Sequence, residues 1–344
     1  MTIRRRRAVD TVLAVVIVAT IASVASCSQK RDGQSPTPSL IHLNLRLQWY
    51  PQAQFAGYVV AKELGYYRDA GLDVDVRPAG PDLKPLTTIA NGTDDIAVGV
   101  PNQVIEARAN GAPLKIIMQL FQDSANLYVL KKANAIRDLG GLRGKPVGLW
   151  LGGDEAEFTA MLRSRGMQLR DVRVVPQGES VVPFLHGQYV LSQVTAYNEL
   201  LQLEDAGLGP SDLQILRPAD YNAAIPGDMV FTTEKYLSAN HETVVRFLSA
   251  TLRGWEYAKA NPESTVALLR RTNPSLEEGQ QMRQLSVVVG LVWKGVALKR
   301  GIGAMDASAY AQAIRVLTES GQLKSSSSSS DLYDDGAWRE ARAR

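Results

Sequence analysis

The chain has 344 residues, which is more than one hydrophobic core usually supports, so its length predicts two domains or lobes. Apolar residues make up 45% of the sequence and charged residues 21%, as in ordinary globular proteins, and no segment beyond the N-terminus is a long uncharged apolar run. The formal net charge is +3, but four arginines and one aspartate fall within residues 1–26, so the remainder sums to 0. Without a basic excess there is no electrostatic basis for binding nucleic acid.

The N-terminus has the pattern of an export signal over residues 1–26. Arg4 to Arg7 are basic, and the apolar stretch from Thr11 to Ser26 is shorter than a membrane-spanning helix. The residues that follow the arginines lack the hydrophobic pattern of twin-arginine export, so general secretion is favoured. Residues 27–39 are rich in serine, proline and polar side chains and predict a flexible tether.

Cys27 is the only cysteine in the sequence, which excludes an intrachain disulfide and argues against a cysteine-based metal site. Val24-Ala25-Ser26-Cys27 resembles a bacterial lipobox, in which the cysteine is lipidated and becomes the new N-terminus. We therefore expect Cys27 to anchor an exported protein to the outer face of the cell membrane. A plain secretory signal and an uncleaved anchor are the alternatives. No metal and no cofactor are predicted.

The first predicted strand and helix bring amide and aromatic side chains together. Leu43, Leu45 and Leu47 alternate with polar residues, as in a strand with one buried face, and a loop and a short helix follow. Strand ends that meet helix starts are where α/β folds bind ligands, and amides with aromatic rings suit a small neutral molecule that contains a ring. The alternative is that the aromatic residues are core and the glutamines are solvated. The candidate ligand-binding residues here are Gln48, Trp49, Gln52, Gln54 and Phe55.

Strand and helix patterns then alternate, which predicts an α/β fold of mostly parallel sheets covered by helices. Strands are predicted near residues 72–76, 95–100 and 114–120, with a helix from Pro101 to about Asn110. Asn102 lies at the start of that helix, where it either faces a ligand or simply begins the helix. Gln122 follows the next strand and is a further candidate.

The second half of the chain continues the same alternation. A strand over Pro146 to Leu151 turns at Gly152 and Gly153 into a helix, which places backbone N–H groups at the strand end. A helical pattern from Glu234 through Ala260, broken near Asn240, should pack behind the first lobe. Residues 324–344 read as a serine-rich linker and a C-terminal tail that either docks weakly or stays loose. Further strands are predicted near residues 172–176, 193–197, 213–216 and 229–232.

Several separated segments resemble the NMT1/THI5-like family, which contains solute-binding proteins of ABC importers. They are Trp49 to Tyr58, Ala61 to Tyr67, Gly71 to Val74, Gly148 to Gly153, Tyr197 to Glu199 and Phe231 to Lys235. The resemblance implies a two-lobed, periplasmic-binding-protein-like fold of type II, with the ligand in the cleft between the lobes. Lobe 1 is assigned to residues 40–130 and 226–323, and lobe 2 to residues 131–225.

The resemblance also implies that Tyr197, Asn198 and Glu199 line the cleft. Glu199 accepts hydrogen bonds and repels anions, which favours a donor-bearing heterocycle over nitrate or a sulfonate. Its alternative role is to stabilise the first turn of the helix that follows.

These features predict a monomeric binding protein that captures a thiamine-pyrimidine-precursor-like ligand by closing its lobes. It would deliver that ligand to an ABC permease with its ATPase. Riboflavin-like compounds, and sulfonates or nitrate, are the alternative ligands. A sensory module that docks on a membrane receptor is the alternative function.

No enzyme activity is predicted. The activity associated with one member of the family is linked to a cysteine-rich motif, which a chain with Cys27 alone lacks. The three histidines, His42, His186 and His241, lie in unrelated segments with no metalloprotease or nucleophile-elbow pattern nearby.

Overall fold

The computed structural model describes residues 39–323 and 331–344, so the predicted export signal, Cys27, most of the tether and the serine tract lie outside the described residues. The described strands are β1 (Ile41–Arg46), β2 (Leu72–Arg77), β3 (Ile96–Gly99), β4 (Leu114–Gln119), β5 (Asn126–Lys131), β6 (Pro146–Leu149), β7 (Arg173–Pro176), β8 (Leu191–Thr195), β9 (Leu213–Leu216) and β10 (Met229–Thr233). The described helices are α1 (Ala56–Glu63), α2 (Tyr66–Asp69), α3 (Pro85–Ala90), α4 (Pro101–Ala109), α5 (Ala156–Arg163), α6 (Val182–Leu185), α7 (Glu199–Asp205), α8 (Glu234–Ala239), α9 (His241–Ala260), α10 (Pro262–Thr272), α11 (Glu278–Val292), α12 (Ala297–Arg300), α13 (Ala307–Ser320) and α14 (Gly336–Arg342).

The strands form two five-stranded sheets with the same internal plan. The first sheet has the order β2-β1-β3-β10-β4, and the second has the order β7-β6-β8-β5-β9. In each sheet three neighbouring strands run parallel, and the fourth runs antiparallel to both of its neighbours. The central strand β3 is wholly buried and apolar, and its neighbour β10 is buried except at its last residue, as expected of strands covered on both faces. The predicted two-lobed α/β fold is confirmed.

The chain crosses between the lobes twice, in residues 120–125 and in residues 217–228, and the antiparallel strand of each sheet follows a crossing. The first boundary differs from the prediction. Asn126–Lys131 pairs with β8 and β9, so residues 126–130, which were assigned to lobe 1, belong to the second sheet. An apolar run does not reveal which sheet it joins, because that choice depends on pairing partners distant in the chain.

Glu157 on α5 connects the two crossings. Its Oε2 accepts hydrogen bonds from Ser124 Oγ at 3.0 Å and from Asn126 Nδ2 at 2.9 Å, both at the first crossing. Its Oε1 accepts a bond of 2.7 Å from the backbone N–H of Ile225, in the second crossing. Burial raises the pKa of Glu157 to about 7. One side chain of the second lobe therefore holds both connecting segments.

Two glycines allow α1 and α9 to pack closely in the first lobe. A Cβ atom at Gly57 would lie 2.3 Å from the ring of Trp255, and one at Gly254 would lie 2.1 Å from the backbone oxygen of Gly57. Trp255 is fully buried and meets Tyr58 edge-on, with ring centroids 6.0 Å apart. The predicted break of the long helix near Asn240 is confirmed, because α8 ends at Ala239 and α9 begins at His241.

The C-terminal tail docks on the first lobe. Tyr333 forms a parallel bridge with Ile116 at the edge strand β4, and α14 packs against α9. Trp338 is 3% exposed and donates a hydrogen bond of 3.0 Å from Nε1 to the backbone oxygen of Ile302. Of the two expectations for the tail, docking is therefore correct. Among the described residues, no helix combines the length and the apolarity that a membrane crossing requires.

Candidate ligand-binding cleft

Three glutamine side chains are linked by hydrogen bonds that end at Asp228, the last residue of the second crossing. Gln284 on α11 donates from Nε2 to Gln52 Oε1 at 3.1 Å, and Gln52 donates to Gln54 Oε1 at 2.9 Å. Gln54 in turn donates to Asp228 Oδ2 at 2.8 Å. Gln52 and Gln54 each accept a hydrogen bond at the amide oxygen and donate one from the amide nitrogen. This series of hydrogen bonds therefore determines which way each amide is oriented.

Gln281 and Gln284 anchor the loop that carries these amides. The backbone N–H of Ala53 donates to Gln281 Oε1 at 2.7 Å and to Gln284 Oε1 at 3.1 Å. Gln281 is 2% exposed and Gln284 is fully buried. Two buried side chains of α11 therefore hold the loop between β1 and α1 of the first lobe. Sequence reasoning missed both residues, because their positions on a late amphipathic helix give no sign of the loop they support.

Asp228 is the functional candidate that the sequence did not indicate. It immediately precedes β10, at the end of the second crossing, and is 3% exposed. Within residues 39–323 and 331–344 it has no ion pair with a cation, and Gln54 is the side chain that donates to it. Burial raises its pKa to about 7. The Gly227-Asp228 pair resembles ordinary turn chemistry, so the sequence contained no usable signal for it.

Tyr197 approaches the same place from the second lobe. It follows β8, is 7% exposed, and meets Phe121 of the first crossing edge-on, with ring centroids 5.9 Å apart. Burial first and the charge of Asp228 second raise the pKa of Tyr197, and the amide of Gln54 acts to lower it. Of the predicted residues, Gln52, Gln54 and Tyr197 are thus brought together at the junction of the lobes.

Glu199 is bonded to the end of β8 and to the residue that precedes it. Its Oε2 accepts hydrogen bonds from the backbone N–H of Thr195 at 2.9 Å and from Thr195 Oγ1 at 2.6 Å. Its Oε1 accepts from Asn198 Nδ2 at 2.7 Å. The carboxylate and Asn198 therefore hold the turn between β8 and α7, which positions Tyr197.

Asn102 and Gly153 join the lobes at a second place. Asn102 Nδ2 donates to the backbone oxygen of Gly153 at 3.2 Å, from the start of α4 across to the loop before α5. Gly152 and Gly153 have φ of 97° and 113°, which side-chain-bearing residues rarely adopt, so the loop requires glycine there. Burial raises the pKa of the adjacent Asp154 to about 6.

The remaining predicted residues have different surroundings. Phe55 is fully buried in the main hydrophobic core, and Gln122 donates to the backbone oxygens of Gln119 at 2.7 Å and Ala304 at 3.0 Å. Trp49 is half-buried and lies edge-on to Tyr50, with centroids 5.5 Å apart. Gln48 is half-buried, and its Oε1 has no hydrogen-bond partner within the described part of the chain. Packing and backbone bonds thus occupy Phe55 and Gln122, whereas Trp49 and Gln48 are only half-buried.

Across the described ranges, no group of three or more His, Cys, Asp or Glu side chains could hold a metal ion. The histidines lie apart from the junction of the lobes. His42 contacts Asp73 at 3.1 Å on the surface, and His241 contacts Glu340 at 3.0 Å.

Comparison with known proteins relates this arrangement to binding proteins. The chain is 25% identical over 328 residues to the riboflavin-binding protein RibY of Chloroflexus aurantiacus, covering 90% of this chain and 92% of that protein. It is also 25% identical to a formylaminopyrimidine-binding protein of Halalkalibacterium halodurans, over 72% of this chain and 75% of that protein. The periplasmic aliphatic sulphonate binding protein SsuA of Escherichia coli superposes with a TM-score of 0.67 at 17% identity, covering 86% of this chain and 92% of SsuA.

Some relatives are named as enzymes. The 4-amino-5-hydroxymethyl-2-methylpyrimidine phosphate synthase THI5 of Saccharomyces cerevisiae is 25% identical over 63% of this chain and 66% of its own length. The structural likeness establishes a two-lobed periplasmic-binding-protein fold. The NMT1/THI5-like family model matches residues 52–265, well over half of the chain, and the protein belongs to that family.

Proposed function

We propose that the protein is the solute-binding component of an ABC importer and captures a small nitrogen heterocycle between its lobes. The observation that carries the proposal is the convergence of Gln54, Asp228 and Tyr197 at the junction of the lobes. Amides, a phenol and a carboxyl group can pair with ring nitrogens and amino groups, and an aromatic face can stack on the ring. A permease with its ATPase would receive the ligand, and closure of the lobes would trap it.

Anions fit this junction poorly. Anion sites usually place Arg or Lys, or a helix N-terminus, against the charge. Among the described residues, Asp228 faces no such cation, and in its ionised form it would repel a sulfonate or nitrate. The similarity to SsuA concerns the fold, whereas relatives with greater sequence identity carry names that refer to riboflavin and to a formylaminopyrimidine. Anions are therefore ranked third, after a pyrimidine, which we rank first, and a flavin.

A thermal-shift screen of the full-length protein tests the ligand class. Pyrimidines, flavins, purines, sulfonates and nitrate are compared, and a heterocycle at a hundredfold excess over its dissociation constant should stabilise the fold by about 2.7 kcal/mol.

Trp49→Ala should then weaken binding of the best heterocycle by roughly 1–3 kcal/mol, because it removes a stacking surface at the strand end. Trp293→Ala is the matched control, since it removes the same ring at a position where Lys259 Nζ lies over it at 4.5 Å. Tight binding of a sulfonate or nitrate that ignores Trp49→Ala would contradict the assignment.

The enzyme alternative is favoured by the relatives named as synthases, and the same experiment addresses it. A heterocycle that binds and is recovered unchanged after prolonged incubation supports a binding protein. Turnover of the ligand without added partners would support catalysis instead.

We further propose that Cys27 carries the lipid anchor, on the strength of the Val24 to Cys27 pattern. Cys27→Ser should therefore prevent incorporation of radiolabelled palmitate and release or misprocess the protein in the producing cells. Ser28→Ala, one residue away, should leave the label unchanged. Absence of label from the wild-type chain would remove the lipoprotein assignment.

A further inference from the structure

The surroundings of Asp228 are unusual for a buried carboxyl group. Its side chain has Gln54 as its side-chain donor, at 2.8 Å, and shares no ion pair with a described Lys, Arg or His. Its backbone oxygen is already occupied by the N–H groups of Leu120 at 3.0 Å and Phe121 at 2.9 Å. A buried charge that lacks a partner is costly, so such a group is retained either in its protonated form or for a ligand that completes its hydrogen bonds.

Burial raises the pKa of Asp228 to about 7, so the group holds a proton over much of the neutral range. A protonated carboxyl group donates from one oxygen and accepts at the other. It then has the same pattern as the amide of Gln54 beside it. The hydroxyl of Tyr58, which has no hydrogen-bond partner among the described residues, lies in the same region of the first lobe. Burial first, and then the charge of Asp228, raise the pKa of Tyr58.

We propose that Asp228 pairs with the edge of a ring ligand that presents an N–H donor beside a hydrogen-bond acceptor. This inference rests on the proposed function and narrows its ligand class. An amino group next to a ring nitrogen, as in aminopyrimidines, has that edge, and so does an N–H next to a ring carbonyl. A sulfonate or nitrate offers acceptors alone and cannot complete the pair.

The pairing holds one proton between protein and ligand. The carboxyl O–H donates to the acceptor of the ring, and the second carboxyl oxygen accepts from the ligand N–H. If the ring nitrogen takes the proton, an ion pair forms and the number of bound protons is unchanged. Loss of that proton leaves a carboxylate oxygen against the ring acceptor, which repels it. Affinity should therefore fall as the pH rises above the pKa of the free carboxyl group.

The pH dependence caused by Asp228 must be distinguished from that of the other titratable groups near the junction. Tyr58 and Tyr197 both have pKa values raised chiefly by burial, so they stay neutral below pH 9. Asp123 of the first crossing forms an ion pair with Lys294. Glu157 and Asp154 have pKa values raised by burial to about 7 and about 6, which makes each a rival source of pH dependence.

Calorimetry on the full-length protein tests the proposal, with 4-amino-5-hydroxymethyl-2-methylpyrimidine and riboflavin as probes. The dissociation constant is measured between pH 6.5 and pH 9 in buffers of different ionisation enthalpy. For whichever probe binds, we expect about a tenfold loss of affinity per pH unit above the carboxyl pKa. Proton uptake on binding should approach one per site at the highest pH. Weaker binding at low pH than at high pH, or no proton exchange, would overturn the pairing.

Two substitutions at Asp228 give opposite results. Asp228→Asn supplies the same donor and acceptor as the protonated carboxyl, so affinity at pH 6.5 should stay within a few-fold and its pH dependence should vanish. Asp228→Leu should lose at least about a hundredfold, because buried ligand donors stay unpaired. Asp154→Asn and Glu157→Gln should both retain the pH dependence of the wild type. A large loss of affinity at pH 6.5 in Asp228→Asn would show that a carboxylate is required and would overturn the proposal.

The thermal-shift screen and the pH dependence of affinity distinguish failure of the proposed function from failure of the Asp228 pairing. If no heterocycle in the thermal-shift screen binds, the proposed function and the pairing are both overturned. If a heterocycle binds with an affinity that is independent of pH, only the role of Asp228 is overturned.

Discussion

Gly254→Ala is expected to lower the free energy of unfolding by at least about 3 kcal/mol, the upper part of the range for overpacked cores. The new Cβ would lie 2.1 Å from the backbone oxygen of Gly57 and 3.0 Å from the Cβ of Ala61, so α1 and α9 would have to separate. Backbone atoms cannot move aside as a flexible side chain can. Because α1 begins two residues after Gln54, ligand binding should weaken as well. Urea denaturation monitored by circular dichroism measures the change in stability.

Gly290→Ala provides the matched control, because it makes the same substitution within a helix. Gly290 is exposed on α11, and nothing lies within 4 Å of a Cβ added there. This variant should gain roughly 0.5–1 kcal/mol, since alanine restricts the unfolded chain and favours the helix. Equal effects of the two substitutions would show that the close approach of α1 and α9 does not limit stability.

The ligand-free protein is expected to be several kcal/mol less stable at pH 8.5 than at pH 5. Burial raises the pKa of Asp228 from 3.8 to about 7 and that of Glu157 from 4.5 to about 7. Between those values the folded chain binds protons that the unfolded chain releases. The stability from each group is therefore fully present below its unfolded pKa and is lost as the pH rises through the folded value. At about 1.4 kcal/mol per pKa unit, the maximum contribution is roughly 4–5 kcal/mol for Asp228 and roughly 3–4 kcal/mol for Glu157.

Groups with lowered pKa values act in a different pH window. Hydrogen bonds from Arg344 and Arg246 lower the pKa of Glu242 to about 2, so its contribution is lost only in stronger acid. Stability should consequently peak near pH 5. Asp228→Asn, which resembles the protonated carboxyl, should be more stable than the wild type, and by a larger margin at pH 8.5 than at pH 5. Denaturation curves at the two pH values check this, and a variant less stable than the wild type at pH 8.5 would contradict it.

The sequence by itself determined the local elements and the family. Two short-range signals in the sequence are confirmed by the structure. One is the alternation of Leu43, Leu45 and Leu47 with polar residues, and the other is the turn at Gly152 and Gly153. Matching segments that follow one another in the expected order between Trp49 and Lys235 indicated the NMT1/THI5-like family. The family model confirms this over residues 52–265. Local patterns suffice for such inferences, because strand alternation and turn chemistry act over a few residues.

Only the tertiary structure decided which polar groups meet. Gln54 and Asp228 are 174 residues apart, and Gln52 and Gln284 are 232 apart, so no local pattern links them. The same holds for β5, whose apolar residues suit either sheet until β8 and β9 pair with it. Glu199 is bonded to the end of β8 through the backbone N–H of Thr195, a contact that neither a ligand nor the helix dipole had suggested from the sequence. The buried carboxyl of Asp228 acquires its chemistry from the packing of two lobes around it, and that environment exists only once distant segments have come together.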